Sequence, residues 1–346
     1  MRRRKDGTID PVWIAEEAAK WLDTAPSNEA RQVGEMLATS LKLVADGADL
    51  GQLKLMNHAL KEMRYAYLVF NKYKGVRKAS IFGSARTPAD HPDYEAARSF
   101  GKKLADSGWM AITGAGDGIM KAGHEGPKRE ASFGLSIRLP FETTANDVID
   151  GDDKLINFRY FFTRKLMFVS HSDAIAVFPG GFGTQDELFE SLTLMQTGKS
   201  NIVPVVLVQG EGSDYWQRWE RGITENLLDC GWISPEDPVL YYIAENVDQA
   251  VDHVLNFYRR FRSARYVGNK LVFRIDEPLS EAQVAELGRE FKDQVASGEF
   301  EQSGPLPGEL EHLELPRLHF HHVRRSFGMI RKLIDRINDM PRASET

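Results

Sequence analysis

The chain has 346 residues, of which 42% are hydrophobic and 27% charged, a balance that excludes disordered and fibrous classes and predicts one main globular domain with smaller flanking pieces. Its formal net charge of −6 argues against a nucleic-acid surface, which needs clustered Lys and Arg, but leaves room for a small anionic ligand held by a few fixed donors. Cys230 is the single cysteine, so an intrachain disulfide and a cysteine-based metal cluster are both excluded; the thiol reads as inert and packed, in a reducing compartment.

In chain order, the basic start Met1-Arg2-Arg3-Arg4-Lys5 lacks a following apolar run, so it reads as a frayed tail and not a secretory signal. No stretch approaches the roughly 18 to 20 uncharged apolar residues of a membrane span, and a cytoplasmic location without membrane contact is expected. Residues 1–76 form an N-terminal helical region. Within it Leu53, Met56, Leu60, Met63, Tyr67 and Phe70 recur at spacings of three and four, an apolar stripe that requires the main domain or a neighbouring subunit to pack against.

From Lys78 the texture changes to short apolar runs ending in glycine, each followed by a helical pattern. This is the signature of parallel strands with crossover helices. Ala79-Ser80-Ile81-Phe82 leads to Gly83-Ser84-Ala85-Arg86 and a helix from about Asp93 to Ser107. Trp109-Met110-Ala111-Ile112-Thr113 leads to Gly114-Ala115-Gly116-Asp117-Gly118 and a helix from Ile119. Ala174-Ile175-Ala176-Val177-Phe178 leads to Pro179-Gly180-Gly181 and a helix through about Gln196. Phe133 to Leu139 and Ile202 to Val208 supply two more strands. The expected fold of 77–264 is an open, doubly wound, Rossmann-like parallel sheet, and 265–346 reads as a small α+β extension. In that extension a strand spans Lys270 to Ile275, and Ser280 with Gln283 forms a capping box opening a helix to about Ala296. Glu299 to Glu309 reads as a Gly/Pro loop, Arg317 to Val323 as a strand and Phe327 to Ile337 as a helix.

In such sheets ligands sit beyond the carboxyl ends of the strands, where three glycine turns converge. Gly83, Ser84, Gly114, Gly116, Gly118, Gly180, Gly181, Gly183 and Thr184 are the expected binding set, because glycine lets backbone N–H groups approach a phosphate and a helix N-terminus adds partial positive charge. The second turn lacks the dinucleotide spacing, and no Walker-type Gly-Lys-Ser/Thr occurs. Glu187 lies three residues after Thr184 and admits two roles. It either closes a capping box or faces a ribose and favours an oxocarbenium-like centre. Arg164 and Lys165 lie in the aromatic stretch Phe158 to Phe168, on a solvated helix edge or reaching into the site to hold substrate oxygens. His319 and His321 share a strand face, yet no partner stands at a ligand spacing and no metal is expected.

Pro179-Gly180-Gly181-Phe182-Gly183-Thr184-Gln185-Asp186-Glu187 resembles the Pro-Gly-Gly-x-Gly-Thr-x-x-Glu signature of the Lonely Guy (LOG) family, nucleotide phosphoribohydrolases long labelled lysine decarboxylases. Thr163-Arg164-Lys165 resembles the family's second signature. Phe82-Gly83-Ser84-Ala85-Arg86 and Leu139-Pro140-Phe141-Glu142 resemble its longer bacterial branch. The resemblance covers roughly Ala79 to Gln209. It implies a Rossmann-like homodimer or larger assembly that needs no cofactor and releases free base and ribose 5-phosphate from a nucleotide such as AMP or an N6-modified AMP. It also implies catalytic roles for Arg164 and Glu187 and phosphate binding by Gly180, Gly181, Gly183 and Thr184. The second loop departs from the family's Gly-Gly-Gly-x-Gly at Ala115, which predicts an added methyl group at the site mouth.

Two other readings compete. A nucleotide or pterin-cofactor (molybdenum cofactor type) carrier needs the phosphate loop but not the pair Arg164 and Glu187. A lysine decarboxylase needs a Schiff-base lysine beside a phosphate cup for pyridoxal phosphate, and no lysine stands in such a setting.

Overall fold

The apolar runs that end in glycine do become parallel strands. A computed structural model describes residues 11–21, 28–137 and 145–342. The basic tail, the segment Leu139-Pro140-Phe141-Glu142 and the end of the strand expected to reach Leu139 lie outside the described residues. Two units divide between Arg64 and Tyr65.

The first unit holds α1 (Pro11–Trp21), α2 (Asn28–Ala45) and the start of α3 (Leu50–Phe70). Trp13 packs against Ala38. Asp49 and Gln52 exchange side-chain to backbone hydrogen bonds of 2.9 Å each, a reciprocal cap that sets where α3 begins. The apolar stripe of α3 is mostly not its buried face: Ala59, Ala66, Val69 and Phe70 are buried, whereas Met56, Leu60 and Tyr67 are exposed.

The second unit carries β1 (Lys78–Phe82), α4 (Pro92–Asp106), β2 (Met110–Thr113), α5 (Ile119–Glu125), β3 (Ser132–Ile137), β4 (Leu155–Phe158), α6 (Phe161–Ser170), β5 (Ala174–Val177), α7 (Phe182–Gln196), β6 (Val205–Leu207), α8 (Tyr215–Ile223), β7 (Tyr242–Ile243) and α9 (Val247–Phe257). The seven strands pair in the order β4-β3-β2-β1-β5-β6-β7, every pair parallel. All residues of β1, β2 and β5 are buried, as expected for strands covered on both faces. At the end of α3, the Phe70 ring stacks on His171 at 3.9 Å and on Phe133 at 4.6 Å.

A four-stranded antiparallel sheet, β10-β11-β9-β8, follows. It is built from β8 (Phe261–Val267), β9 (Lys270–Ile275), β10 (Val295–Ser303) and β11 (Arg317–His322), with helices α10 (Glu281–Glu290) and α11 (Phe327–Asp339). The Ser280 and Gln283 capping box is formed. Three expectations need correction. Helix α10 ends at Glu290 and not at about Ala296, because Val295 and Ala296 already belong to β10. The sheet starts at Phe261 and not after Arg265, and residues 299–303, expected in a loop, belong to β10 because they pair with β11. The extension shares one continuous core with the parallel sheet, from Ala79 and Phe178 through Phe257 to Phe273, Phe320 and Leu333. Cys230, expected to be packed, is exposed. No helix among the described residues is long and apolar enough to cross a membrane.

Candidate active site

The strand order reverses direction at β1, whose neighbours are β2 on one side and β5 on the other. Loops leaving neighbouring strands at such a point open a crevice, and here the loops after β1, β2 and β5 build it. Ser84 N–H donates to the Pro179 carbonyl at 3.1 Å, and the Ser84 carbonyl accepts from Ile119 N–H at 3.0 Å. The first loop is thereby tied to the third loop and to the start of α5. A Cβ on Gly180 would fall 2.1 Å from Thr184 Oγ1 and 3.0 Å from Ser84 N, so only glycine lets the third turn close this tightly. At Gly181 and Gly183 a Cβ would meet nothing within 4 Å: the backbone there borders open space. Gly181 is the N-cap of α7, with no side-chain cap bond, so the first N–H groups of the helix remain for a ligand, and the helix end favours an anion.

The resulting cavity of about 1220 Å³ is lined by Gly83, Ser84 and Arg86 of the first loop, Gly114, Ala115 and Gly116 of the second, and Gly180 to Glu187 of the third. Phe161, Arg164 and Phe168 of α6 close one wall. The expected binding glycines therefore meet in one place, except Gly118, which packs behind the first loop with φ +60° and Ser84 O only 2.3 Å from where a Cβ would stand.

Glu187 is not a cap. The helix starts at Phe182, two residues before Thr184, because the Gly180-Gly181 turn reverses the chain earlier than the capping-box spacing supposes. Thr184 and Glu187 are both already helical, and the Thr184 to Glu187 capping box does not form. Glu187 is only 7% exposed and lies 3.9 Å from Arg164 Nη2 and 3.7 Å from Lys165 Nζ. Burial pushes its carboxyl above the ordinary range, and Lys165 and Arg164 only partly restrain it. The Arg164 guanidinium lies 5.1 Å from the centre of the Phe161 ring and 5.8 Å from that of Phe168, between the aromatic wall and the carboxylate.

Lys165 departs from its expected role in phosphate binding. Its ammonium is held by Glu190 at 2.5 Å and Asp186 at 2.7 Å, and it is not among the residues lining the cavity. Burial alone would lower its pKa, but those two carboxylates raise it, so it is a fixed positive charge behind Glu187. The Ala115 methyl is not at the site mouth either: the residue is 1% exposed, and a Cβ on Gly134 would lie 3.0 Å from it. Of the other carboxylates in the loop motifs, Asp117 is exposed and outside the lining, and Glu142 lies outside the described residues. His319 bonds Ser303 at 3.0 Å and His321 bonds Ser297 at 2.6 Å; both are side-chain links within the second sheet. No lysine is among the described residues that line the cavity.

Sequence reasoning missed the buttress of the third loop. Tyr215 Oη–H donates to the Gly180 carbonyl at 2.6 Å, accepts from Gln185 Nε2 at 2.8 Å, and Trp219 Nε1 holds Gln185 Oε1 at 2.9 Å. These residues come from α8, some thirty positions later in the chain, and only the aromatic density of Tyr215-Trp216 and Trp219 hinted at them.

Fold and site together define a Rossmann-like α/β protein with a glycine-lined cavity at the switch point and a buried carboxylate beside an arginine. Residues 114–254 match a family model described as possible lysine decarboxylase. The cytokinin riboside 5′-monophosphate phosphoribohydrolase of Mycobacterium tuberculosis is 31% identical over 170 residues, spanning 48% of this chain and 88% of that protein. A probable cytokinin riboside 5′-monophosphate phosphoribohydrolase of Oryza sativa subsp. japonica, LOG4, is 28% identical over 163 residues, 45% of this chain and 68% of its own. Among solved structures, the molybdenum cofactor binding protein of Rippkaea orientalis aligns over 52% of this chain and 95% of its own, with 19% identity and a TM-score of 0.38. The chain belongs to the Lonely Guy phosphoribohydrolase family.

Proposed function

We propose that this protein hydrolyses the N-glycosidic bond of a nucleoside 5′-monophosphate, AMP or an N6-modified AMP of the cytokinin type, to free base and ribose 5-phosphate. The observation that carries this is the buried Glu187, 3.9 Å from Arg164, at a cavity whose other walls are three glycine loops and a helix N-terminus. The phosphate sits against Gly181, Gly183 and Thr184, where the backbone borders open space. This fixes the ribose so that C1′ lies toward Glu187. As the bond from C1′ to the base nitrogen breaks, its electron pair leaves with the base and positive charge develops on the sugar, which the carboxylate stabilises. Water adds its oxygen to C1′, one of its protons ends on the departing base, and no cofactor enters the balance. Arg164 supplies a planar fork for substrate oxygens. A mere carrier has no use for a carboxylate buried at a cost beside the phosphate.

The same reading assigns a homodimer or larger assembly, because Phe161, Phe162, Leu166 and Phe182 stand exposed beside the site, Phe182 at 98%, where a partner subunit would cover them. It places the reaction in the cytoplasm. The direct test is incubation of the purified protein with a panel of nucleoside monophosphates, with released base read by chromatography. Release of base from at least one member is expected, and none from any would overturn the proposal.

A further inference from the structure

The second glycine loop is held from behind by a buried polar cluster that the proposed chemistry does not use. Ala115 has φ +63°, a left-handed conformation that costs an L-residue with a side chain. Three hydrogen bonds hold it there: Ala115 N–H donates to Thr113 Oγ1 at 3.0 Å, the Ala115 carbonyl accepts from Asn146 N–H at 2.8 Å, and the Gly116 carbonyl accepts from Asn146 Nδ2 at 2.9 Å. Asn146 is in turn set by His124, which is fully buried. His124 Nε2 lies 3.0 Å from the Phe133 carbonyl and 2.9 Å from Thr113 Oγ1. A carbonyl only accepts, so Nε2 carries the proton and Nδ1 is left as an acceptor, 3.2 Å from Asn146 Nδ2 and 3.3 Å from Asn146 Oδ1; of these two atoms only Nδ2 can donate to it. Burial favours this neutral imidazole, pulling the His124 pKa down against its bond to the Phe133 carbonyl. The amide group of Asn146 is thereby oriented, with its NH2 toward both His124 and Gly116.

The orientation has a consequence across each peptide plane, where C=O and the following N–H point in opposite directions. With the carbonyls of Ala115 and Gly116 turned inward onto Asn146, the N–H groups of Gly116 and Asp117 turn the other way, toward the cavity that Gly116 lines. Successive N–H groups presented around a left-handed residue make an anion-binding concavity. We infer that Asn146, oriented by His124, is a positioning residue that makes the loop 114–117 a second donor site for oxygens of the phosphoribosyl group, facing the α7 terminus. This rests on the proposed function.

The test compares wild type with Asn146→Ala, Asn146→Leu, which keeps the number and branching of side-chain heavy atoms, and Asn146→Ala combined with Ala115→Gly. The readouts are the Kd for ribose 5-phosphate by calorimetry, KM and kcat for AMP, and the melting temperature. Losing the oriented donor is expected to weaken ribose 5-phosphate binding about tenfold and to raise KM by a similar factor, with a smaller fall in kcat. Because glycine takes φ near +60° unaided, the Ala115→Gly change is expected to restore most of the lost affinity, which a merely structural Asn146 would not allow. A folded Asn146 variant with wild-type Kd, or a loss that Ala115→Gly leaves untouched, overturns the inference, as does a wild type that binds no ribose 5-phosphate. Wild type that binds ribose 5-phosphate yet releases base from no nucleotide overturns the proposed function alone, and the Kd comparison still decides the role of Asn146.

Discussion

Replacing Glu187 by Gln keeps size and shape and removes one charge, so it separates chemistry from folding. Arg164 and Lys165 lie 3.9 and 3.7 Å from the carboxylate, and a sugar cation in contact with it stands at a similar range. At about 4 Å and an effective dielectric of about 20, opposite unit charges attract by about 4 kcal/mol, which is about a thousandfold in rate. Stability moves in the other direction. Burial raises the Glu187 pKa in the folded protein, so between its unfolded and folded values the native state binds more protons, and stability falls as pH rises through that window. At neutral pH the wild type carries the cost of a buried carboxylate that Gln does not. Turnover of AMP, read as released adenine, is expected to fall by two to three orders of magnitude, while the melting temperature at neutral pH holds or rises. A folded Gln variant with more than about a tenth of the wild-type rate would refute the electrostatic role, since the losses typical of such groups are a hundredfold or more.

Three further outcomes follow from the same geometry. Adenosine is expected to be a far poorer substrate than AMP, because the glycine loops and the α7 terminus anchor the phosphate and remote binding energy positions the scissile bond; equal kcat/KM for the two would remove the phosphate from the site. Lys165→Met takes away a cation that restrains the Glu187 carboxyl, with Asp186 and Glu190 still raising it and Arg164 still lowering it, so the acid limb of kcat/KM is expected to shift to higher pH, and an unmoved limb would exclude Lys165 from this role. In the extension, burial would raise the Glu309 carboxyl, but Arg317, the Leu306 N–H and Arg274 outweigh it and hold the pKa down to about 2. A depressed carboxylate adds stability that is lost as pH falls from its unfolded value toward 2, here about 3 kcal/mol; acid unfolding of Glu309→Gln is expected to lose that component, alongside an overall destabilisation of about 3 to 5 kcal/mol from stranding two buried arginines.

Local chemistry made the parallel sheet and the glycine loops legible in the sequence. A strand buried on both faces reads as a short unbroken apolar run, as in Ala174 to Val177, and a tight turn reads as the glycines that alone permit it, as at Gly180. The Ser280 and Gln283 cap was legible for the same reason, since its partners lie three residues apart. What the tertiary structure decided depends on distant partners or on where a helix begins. Residues 299–303 became a strand only because β11 lies alongside, and on α3 burial took Ala59, Ala66, Val69 and Phe70 while Met56, Leu60 and Tyr67 of the stripe stayed exposed. Glu187 left the capping role once the glycine turn moved the helix start to Phe182, and its proximity to Arg164 and Lys165 is an effect of α6 packing beside α7. The orientation of the second loop rests on Thr113, His124 and Asn146, which span thirty-four residues of sequence and meet only because β2, α5 and the segment before β4 converge: hydrogen bonds between side chains so far apart leave no periodic trace in the chain, and folding alone brings them together.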